Sequence, residues 1–412
     1  MKALLILCIA LCLSNASAAQ KSHSGHAVDE KSLLAECQSA SALPSPHCGR
    51  VPTARFADNG DLYVVFSQHG HIYLTRSSDQ GKSFRTPVAV NRNPELIYDD
   101  GENRPKIALG KNAQIYISWT HKTAGRYSGD VRFARSLDGG KTFDEPLTVN
   151  SDRAIISHRF DSMTLDHQGR IFLIWIDKRD SDQAKKSEQE YAGASLYFAV
   201  SEDAGASFLP NRKLVDHSCE CCRIATDIDS AGSVVALWRH VYPVNMRDHA
   251  IARLTSQQSS IQGLPVRASD DGWKIDGCPH HGPDLSMDDK DRAHMAWFTQ
   301  GEKNKGLMYG RFDFNQAQTE LVTSIDSSPS ASRPQVQVIG NRVYLLWKRF
   351  NGEQMDLLIS RSVNEGQSWS SPESIASTLH GSDHPDWLRS GNRLYAAWHT
   401  QSDGLTLIPV NP

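Results

Sequence analysis

The stretch "GDLYVVFSQHGHIYLTRSSDQGKSF", Gly60 to Phe84, decides the fold. It opens on a polar turn and runs into an alternating strand that ends in an aromatic, Phe66. It then passes through a loop and closes on Ser77-x-Asp79-x-Gly81-x-Ser83-Phe84. In such a closing turn Asp and Ser side chains bond nearby backbone N–H groups, and Gly takes a positive φ. The aromatic packs back into the sheet. The unit is thus a set of short strands joined by tight turns, and its meaning depends on how often it recurs.

It recurs along nearly the whole chain. The closing turn returns as "SLDGGKTF" from Ser136, "SEDAGASF" from Ser201 and "SVNEGQSW" from Ser362, the last with Asn364 in place of Asp. The aromatic-ended strand returns as "NAQIYISW", "GRIFLIW", "GSVVALW", "DRAHMAW", "NRVYLLW" and "NRLYAAW". With Phe66 these ends fall at Trp119, Trp175, Trp238, Trp297, Trp347 and Trp398, spaced by 50 to 63 residues. That period is the size of one four-stranded propeller blade. The fold class expected is all-β, a single β-propeller over 31–412 with seven blades, or six if one unit is accessory. The last unit, His384 to Val410, has room for three strands, so a segment near Leu33 to Ser39 is expected to supply the fourth.

The first eighteen residues combine one Lys, an apolar run from Ala3 to Leu13 and a small-residue ending at Ala16-Ser17-Ala18. This is secretory signal peptide grammar, so 1–18 is expected to be removed and 19–30 to form a disordered tail. Leu11 before Cys12 argues against a lipid anchor. No later apolar run reaches the length of a membrane span. The protein is therefore expected to be exported, to the periplasm or beyond. With 44 basic and 47 acidic residues the chain has no charge excess to hold a polyanion, which argues against nucleic acid as a partner.

The four Ser-x-Asp-x-Gly-x-x-aromatic turns on a propeller resemble the Asp-box (BNR) repeats of the sialidase superfamily. "GRVP", Gly49 to Pro52, is similar to that family's Phe/Tyr-Arg-Ile-Pro motif, and "GSVVALWR" to the segment that ends in its second carboxylate-gripping arginine. The resemblance implies that Arg50 and Arg239 hold an acidic sugar. Two segments depart from the family. The loop "SQHGHIYL" lacks the acid/base Asp, and "DHPDWLRSGN" lacks the tyrosine nucleophile.

The closing turns join third to fourth strands on one face, so first-strand starts and second-strand ends share the opposite face, the mouth. First-strand starts bring Arg50, Arg104, Arg159, Arg223, His280, His281, Arg333 and Asp383 to Asp386 there. Second-strand ends bring His121, Asp177, Arg179, Arg239, Lys348, Arg349 and His399. Guanidinium forks bond oxyanions bidentately, so Arg50, Arg104, Arg159, Arg223, Arg239 and Arg333 are the candidate ligand-binding residues. The competing reading is that they pair with acids such as Glu102, Asp161, Asp227 and Asp386 and only tie blades together.

Six cysteines follow the leader: Cys37, Cys48, Cys219, Cys221, Cys222 and Cys278. In an oxidising compartment an even number favours disulfides. On this reading Cys37 joins Cys48, Cys278 joins Cys221 or Cys222, and the remaining pair bonds locally. The alternative is a copper or zinc site drawn from Cys219, Cys221, Cys222, Cys278, His280 and His281, since soft sulfur and imidazole suit both metals. The functional expectation is a funnel that binds an anionic small molecule or glycan, with such a metal as an optional component. The enzyme alternative is an exo-α-sialidase-like glycoside hydrolase releasing a terminal acidic sugar. A scaffold with a plugged pore is the third class.

Overall fold

A computed structural model describes residues 34–39, 43–255 and 260–410. The expected signal peptide and tail lie outside these residues. Within them the chain folds into seven antiparallel sheets in sequence order, six of four strands and a last one of three. The seven innermost strands are Arg50–Phe56, Lys106–Leu109, His158–Leu165, Ala225–Ile228, Asp284–Met287, Ala331–Ile339 and Asp386–Ser390. We number the blades 1 to 7 in that order. The structure is a seven-bladed β-propeller, with seven blades rather than six. Among the described residues no helix is long and apolar enough to cross a membrane.

The second strands explain why the wheel closes. Leu62–Gln68, Ile171–Asp177 and Val234–Arg239 are buried along their whole length, because a sheet faces a neighbour on each side. The apolar core is accordingly divided into seven clusters, one for each pair of adjoining blades. The pair that shuts the ring sets Ala54, Leu62 and Phe66 of blade 1 against Leu388, Tyr395 and Leu405 of blade 7. An Arg55–Asp386 ion pair at 2.7 Å crosses the same seam.

The expected fourth strand from the N-terminus is not found in 34–39. That stretch forms a 3-10 turn, Ala35–Cys37, and a Cys37–Cys48 disulfide ties it just ahead of the first inner strand.

Four of the six Trp-ended second strands are pinned at the mouth by a device the pattern did not announce. The indole N–H groups of Trp119, Trp175, Trp297 and Trp347 donate to Glu95, Asp177, Asp271 and Asp326 at 2.8 to 2.9 Å. A buried indole N–H left unpaired would cost about 1–3 kcal/mol, so each acid stabilises its blade end.

On the opposite face the Ser-x-Asp-x-Gly turns satisfy themselves. Ser77 Oγ accepts from the Gly81 N–H at 2.8 Å, and Asp79 Oδ1 accepts from the Ser83 N–H at 2.9 Å. The hydrogen bond from the Ser83 hydroxyl, with those from Ser77 and the Ser83 backbone, holds the Asp79 carboxyl down to about 2. Asn364 makes the same backbone contact to Ser368 at 2.9 Å. The glycine is demanded twice over at Gly366, where φ is 85° and a Cβ would lie 2.2 Å from the Tyr309 hydroxyl of the preceding blade.

Candidate functional site

Three inner strands begin with an irregular residue. Val51, Phe160 and Arg333 have φ of 46°, 59° and 56°, each at a break in strand register. A bulge of this kind re-aims the side chain beside it, and left-handed φ at a Val or Phe carries strain that the surrounding fold must hold. Here the re-aimed side chains are Arg50, Arg159 and Arg333.

The element that gathers them is the connector between blades 1 and 2, "YDDGENR" at 98–104. Asp100 caps its turn by accepting from the backbone N–H groups of Glu102 and Asn103 at 3.0 and 3.1 Å. Gly101 lets it lie flat on blade 7, since a Cβ there would stand 2.5 Å from the His384 ring. Glu102 is 4% exposed. Its Oε1 accepts from Arg333 at 2.5 Å and its Oε2 from the Arg223 N–H at 2.9 Å, with Arg223 Nη1 3.5 Å away. Arg223 belongs to blade 4 and Arg333 to blade 6. A side chain from between blades 1 and 2 can meet both only near the axis of the wheel.

The other predicted arginines take distinct places. Arg104 pairs with Asp383 and donates to the His384 carbonyl at 3.2 Å. Arg159 stacks its guanidinium 3.7 Å from the centre of the Tyr98 ring. Arg50 stands at the rim, its side chain 56% exposed, 3.1 Å from Asp99. Five of the six thus belong to or touch 98–104. Arg239 does not. It is 1% exposed, donates to the carbonyls of Arg247, His281 and Phe298, and lies on Trp273. Its place under blades 4 and 5 corrects the expectation that it grips a ligand: the strand end that carries it is covered by the 242–248 and 270–282 loops.

The inner cluster gathers four cations, Arg104, Arg223, Arg333 and Lys348, around the acids Glu102 and Asp383, with Asp284 beside Arg223. Its electrostatics follow. Burial, opposed by Asp383 and aided by Arg333 and Arg104, lowers the Lys348 ammonium to about 8. Burial and then Arg333 push His281 down to about 2, and the same two causes hold His384 well below the ordinary imidazole value. Burial lifts the Asp284 carboxyl to about 7. Several buried nitrogens have no hydrogen-bond partner within the protein, among them Arg104 Nε, Arg159 Nε, Arg223 Nη1, Arg239 Nε and His281 Nδ1. Unmatched guanidinium N–H groups of this kind suit an oxyanion.

The cysteines lie beside this cluster. Cys221 and Cys278 form a disulfide across blades 4 and 5, and Cys37 joins Cys48, as the disulfide reading had it. The local bond expected between the remaining pair is not formed: Cys219 and Cys222 are buried thiols with sulfurs 2.9 Å apart. The six-residue metal set does not fit this arrangement. Two of its sulfurs are bonded to each other, and the free pair is closer than the ~3.8 Å that two thiolates on a tetrahedral zinc keep. His280 lies within 4.8 Å of the bonded sulfurs, whereas the His281 ring stacks on Phe298 at 4.4 Å. Next to the thiols a groove of ≈ 430 Å³ opens between blades 3 and 4, lined by Gly193, His217, Tyr242, Asn245, Arg247 and Asp276.

No family model matches this chain, and no protein of curated function matches it in sequence. Solved structures do. The chain is similar to the PL25 ulvan lyase bound to -[GlcA(1-4)Rha3S]-, at 12% identity and a TM-score of 0.57, covering 88% of this chain and 94% of that one. It is similar to the polysaccharide lyase Uly1 at 12% identity and a TM-score of 0.56, with 87% and 90% covered. A Hadza microbial sialidase, Hz136, aligns at 10% identity and a TM-score of 0.49, with 86% and 74% covered. At such identities the likeness is one of propeller fold.

Proposed function

We propose that the protein is an exported, Asp-box, sialidase-like propeller whose mouth recognises an anionic glycan or small acid. The observation that carries this reading is the meeting of Arg104, Arg223 and Arg333, from three parts of the ring, around a connector that leaves buried guanidinium N–H groups unmatched. Arg50 and Arg159 extend the same positive surface outward. Two disulfides support an oxidising destination. The local hydrogen bonding of the Ser-x-Asp-x-Gly turns supports the Asp-box reading.

The hydrolase alternative draws on one feature. Asp284, held at about 7, is a group of general-acid type beside Arg223. A second carboxylate of matched acidity is needed for glycoside cleavage. The carboxylate whose charge acts on Asp284, Asp386, is engaged by Arg55 at 2.7 Å, so recognition is the reading we favour.

Calorimetry with matched neutral and uronate- or sulfate-bearing oligosaccharides tests it. Binding is expected for the acidic series alone, weakened at least ~10-fold by Arg333→Ala and unchanged by Arg389→Ala, an exposed side chain at the other end of its strand. Equal affinity for the neutral series would overturn the proposal. Turnover of a fluorogenic sialoside that is lost in both Asp284→Asn and Arg223→Ala would establish the hydrolase instead.

A further inference from the structure

The segment "CECC", Cys219 to Cys222, holds a thiol pair and half of a disulfide within four residues. Cys219 Sγ lies 2.9 Å from Cys222 Sγ and 3.9 Å from Cys221 Sγ. Cys221 is bonded to Cys278, and Cys278 is exposed while the other three are buried. All three sulfurs of the segment fall within 4.8 Å of one another. The Arg247 guanidinium stands 3.6 Å from Cys219 Sγ and also lines the neighbouring groove.

We propose that Cys219, Cys221, Cys222 and Cys278 form a dithiol–disulfide exchange centre that carries two electrons from the buried thiol pair to the protein surface. The first step is attack of the Cys219 thiolate on Cys221 Sγ. It forms a Cys219–Cys221 bond, breaks Cys221–Cys278, and releases Cys278 as a thiolate that takes a proton from solvent. In the second, Cys222, giving up its proton, attacks Cys219 Sγ, forms Cys219–Cys222 and releases Cys221, which takes that proton. Two thiols and one disulfide enter, and two thiols and one disulfide leave, so no outside oxidant is needed. An external disulfide, of a protein or of glutathione, then reoxidises Cys221 and Cys278 at the surface and leaves as two thiols.

The surroundings suit these roles. The attacking group in such exchange is a thiolate, and its rate follows the thiolate fraction. The hydrogen bond from Cys222, and next the charges of Arg239 and Arg247, lower the Cys219 thiol, whereas burial raises Cys222. Cys219 is thus the first nucleophile and Cys222 the resolving thiol. The loop that would rearrange continues directly into Arg223, whose N–H holds Glu102.

The test is native alkylation of the full chain, isolated without reductant, followed by denaturation, a second isotopic alkylating reagent and disulfide mapping. Label is expected to accumulate with time on Cys278 and Cys221 as a Cys219–Cys222 disulfide appears. Cys37–Cys48 stays intact as the internal control. In Cys219→Ser the labelling of Cys278 is expected to fall at least ~10-fold, because its bond can no longer be exchanged from within. In Cys278→Ser, which lacks the internal disulfide that accepts the two electrons, no Cys219–Cys222 bond is expected until an external disulfide such as oxidised glutathione is added. The proposal fails if Cys278 is labelled as fast in Cys219→Ser as in the wild type. It also fails if no Cys219–Cys222 peptide forms in the wild type.

Discussion

The two faces of this wheel solve the same problem at different ranges. On the closed-turn face each connection is short and bonds to itself, as when Ser136 Oγ accepts from the Gly140 N–H and Asp138 from the Thr142 hydroxyl four residues on. On the mouth face the connections reach across the ring, as when Glu102 meets partners 121 and 231 residues away. Local satisfaction makes a turn that can be copied from blade to blade. Long-range satisfaction makes a site that exists once.

That contrast predicts a large difference in sensitivity. Arg223→Ala or Arg333→Ala leaves a buried carboxylate short of a partner and should cost about 3–5 kcal/mol of unfolding free energy. Ser136→Ala on the other face removes one hydrogen bond and should cost about 1–2 kcal/mol. Denaturant unfolding checks both, and equal losses would erase the distinction. Gly282→Ala comes next. Its Cβ would stand 2.2 Å from Arg223 Cγ and 2.7 Å from two Arg223 backbone atoms, so the loop must shift. Acidic-glycan affinity should drop with a smaller loss of stability, whereas Gly60→Ala, with nothing within 4 Å but a φ of 85°, should touch stability alone.

The third prediction concerns pH. Lys348 falls from an ordinary 10.5 to about 8 in the fold, so between those values the unfolded chain binds the extra proton and stability rises with pH. Asp284 rises from 3.8 to about 7, so the folded chain binds the extra proton and stability falls as pH rises through that window. For an anionic ligand the consequence is one-sided. Affinity should be highest below about 7, where Lys348 is charged and Asp284 neutral, and should weaken as pH passes 8. Calorimetry from pH 6 to 9.5 on wild type and Lys348→Met checks this, the variant losing the upper step. The smallest effect belongs to the closed-turn face: Asp79→Asn should leave the Tm unmoved, because Asn364 already makes the same turn.

Much of this architecture was readable before any coordinates. The Trp-ended strands marked every blade, because a strand buried on both faces must be apolar throughout and each ended in a large aromatic or Phe66. The mouth followed from strand direction, and the Cys37–Cys48 bond and a bond from Cys278 to Cys221 or Cys222 from an oxidising context, whereas the expected third bond is absent. What remained hidden was the role of 98–104. Glu102 was foreseen as a partner that ties blades together through the mouth arginines, and it is one, but nothing in the spacing tells that the blades it joins are 4 and 6. Arg239 misled because its position at a strand end was right while the loops that cover it could not be seen. The helix Arg179–Lys186, inserted between the second and third strands of blade 3, was likewise unmarked by the repeat.

The most direct test of the convergence is a double-mutant cycle between Glu102 and Arg333, each replaced by Ala singly and together, followed by denaturant unfolding. Side chains in contact near the axis should give a coupling energy of about 1–3 kcal/mol. Losses that add to within ~0.5 kcal/mol would mean that the two residues do not meet, and the mouth would not be the assembled site described above.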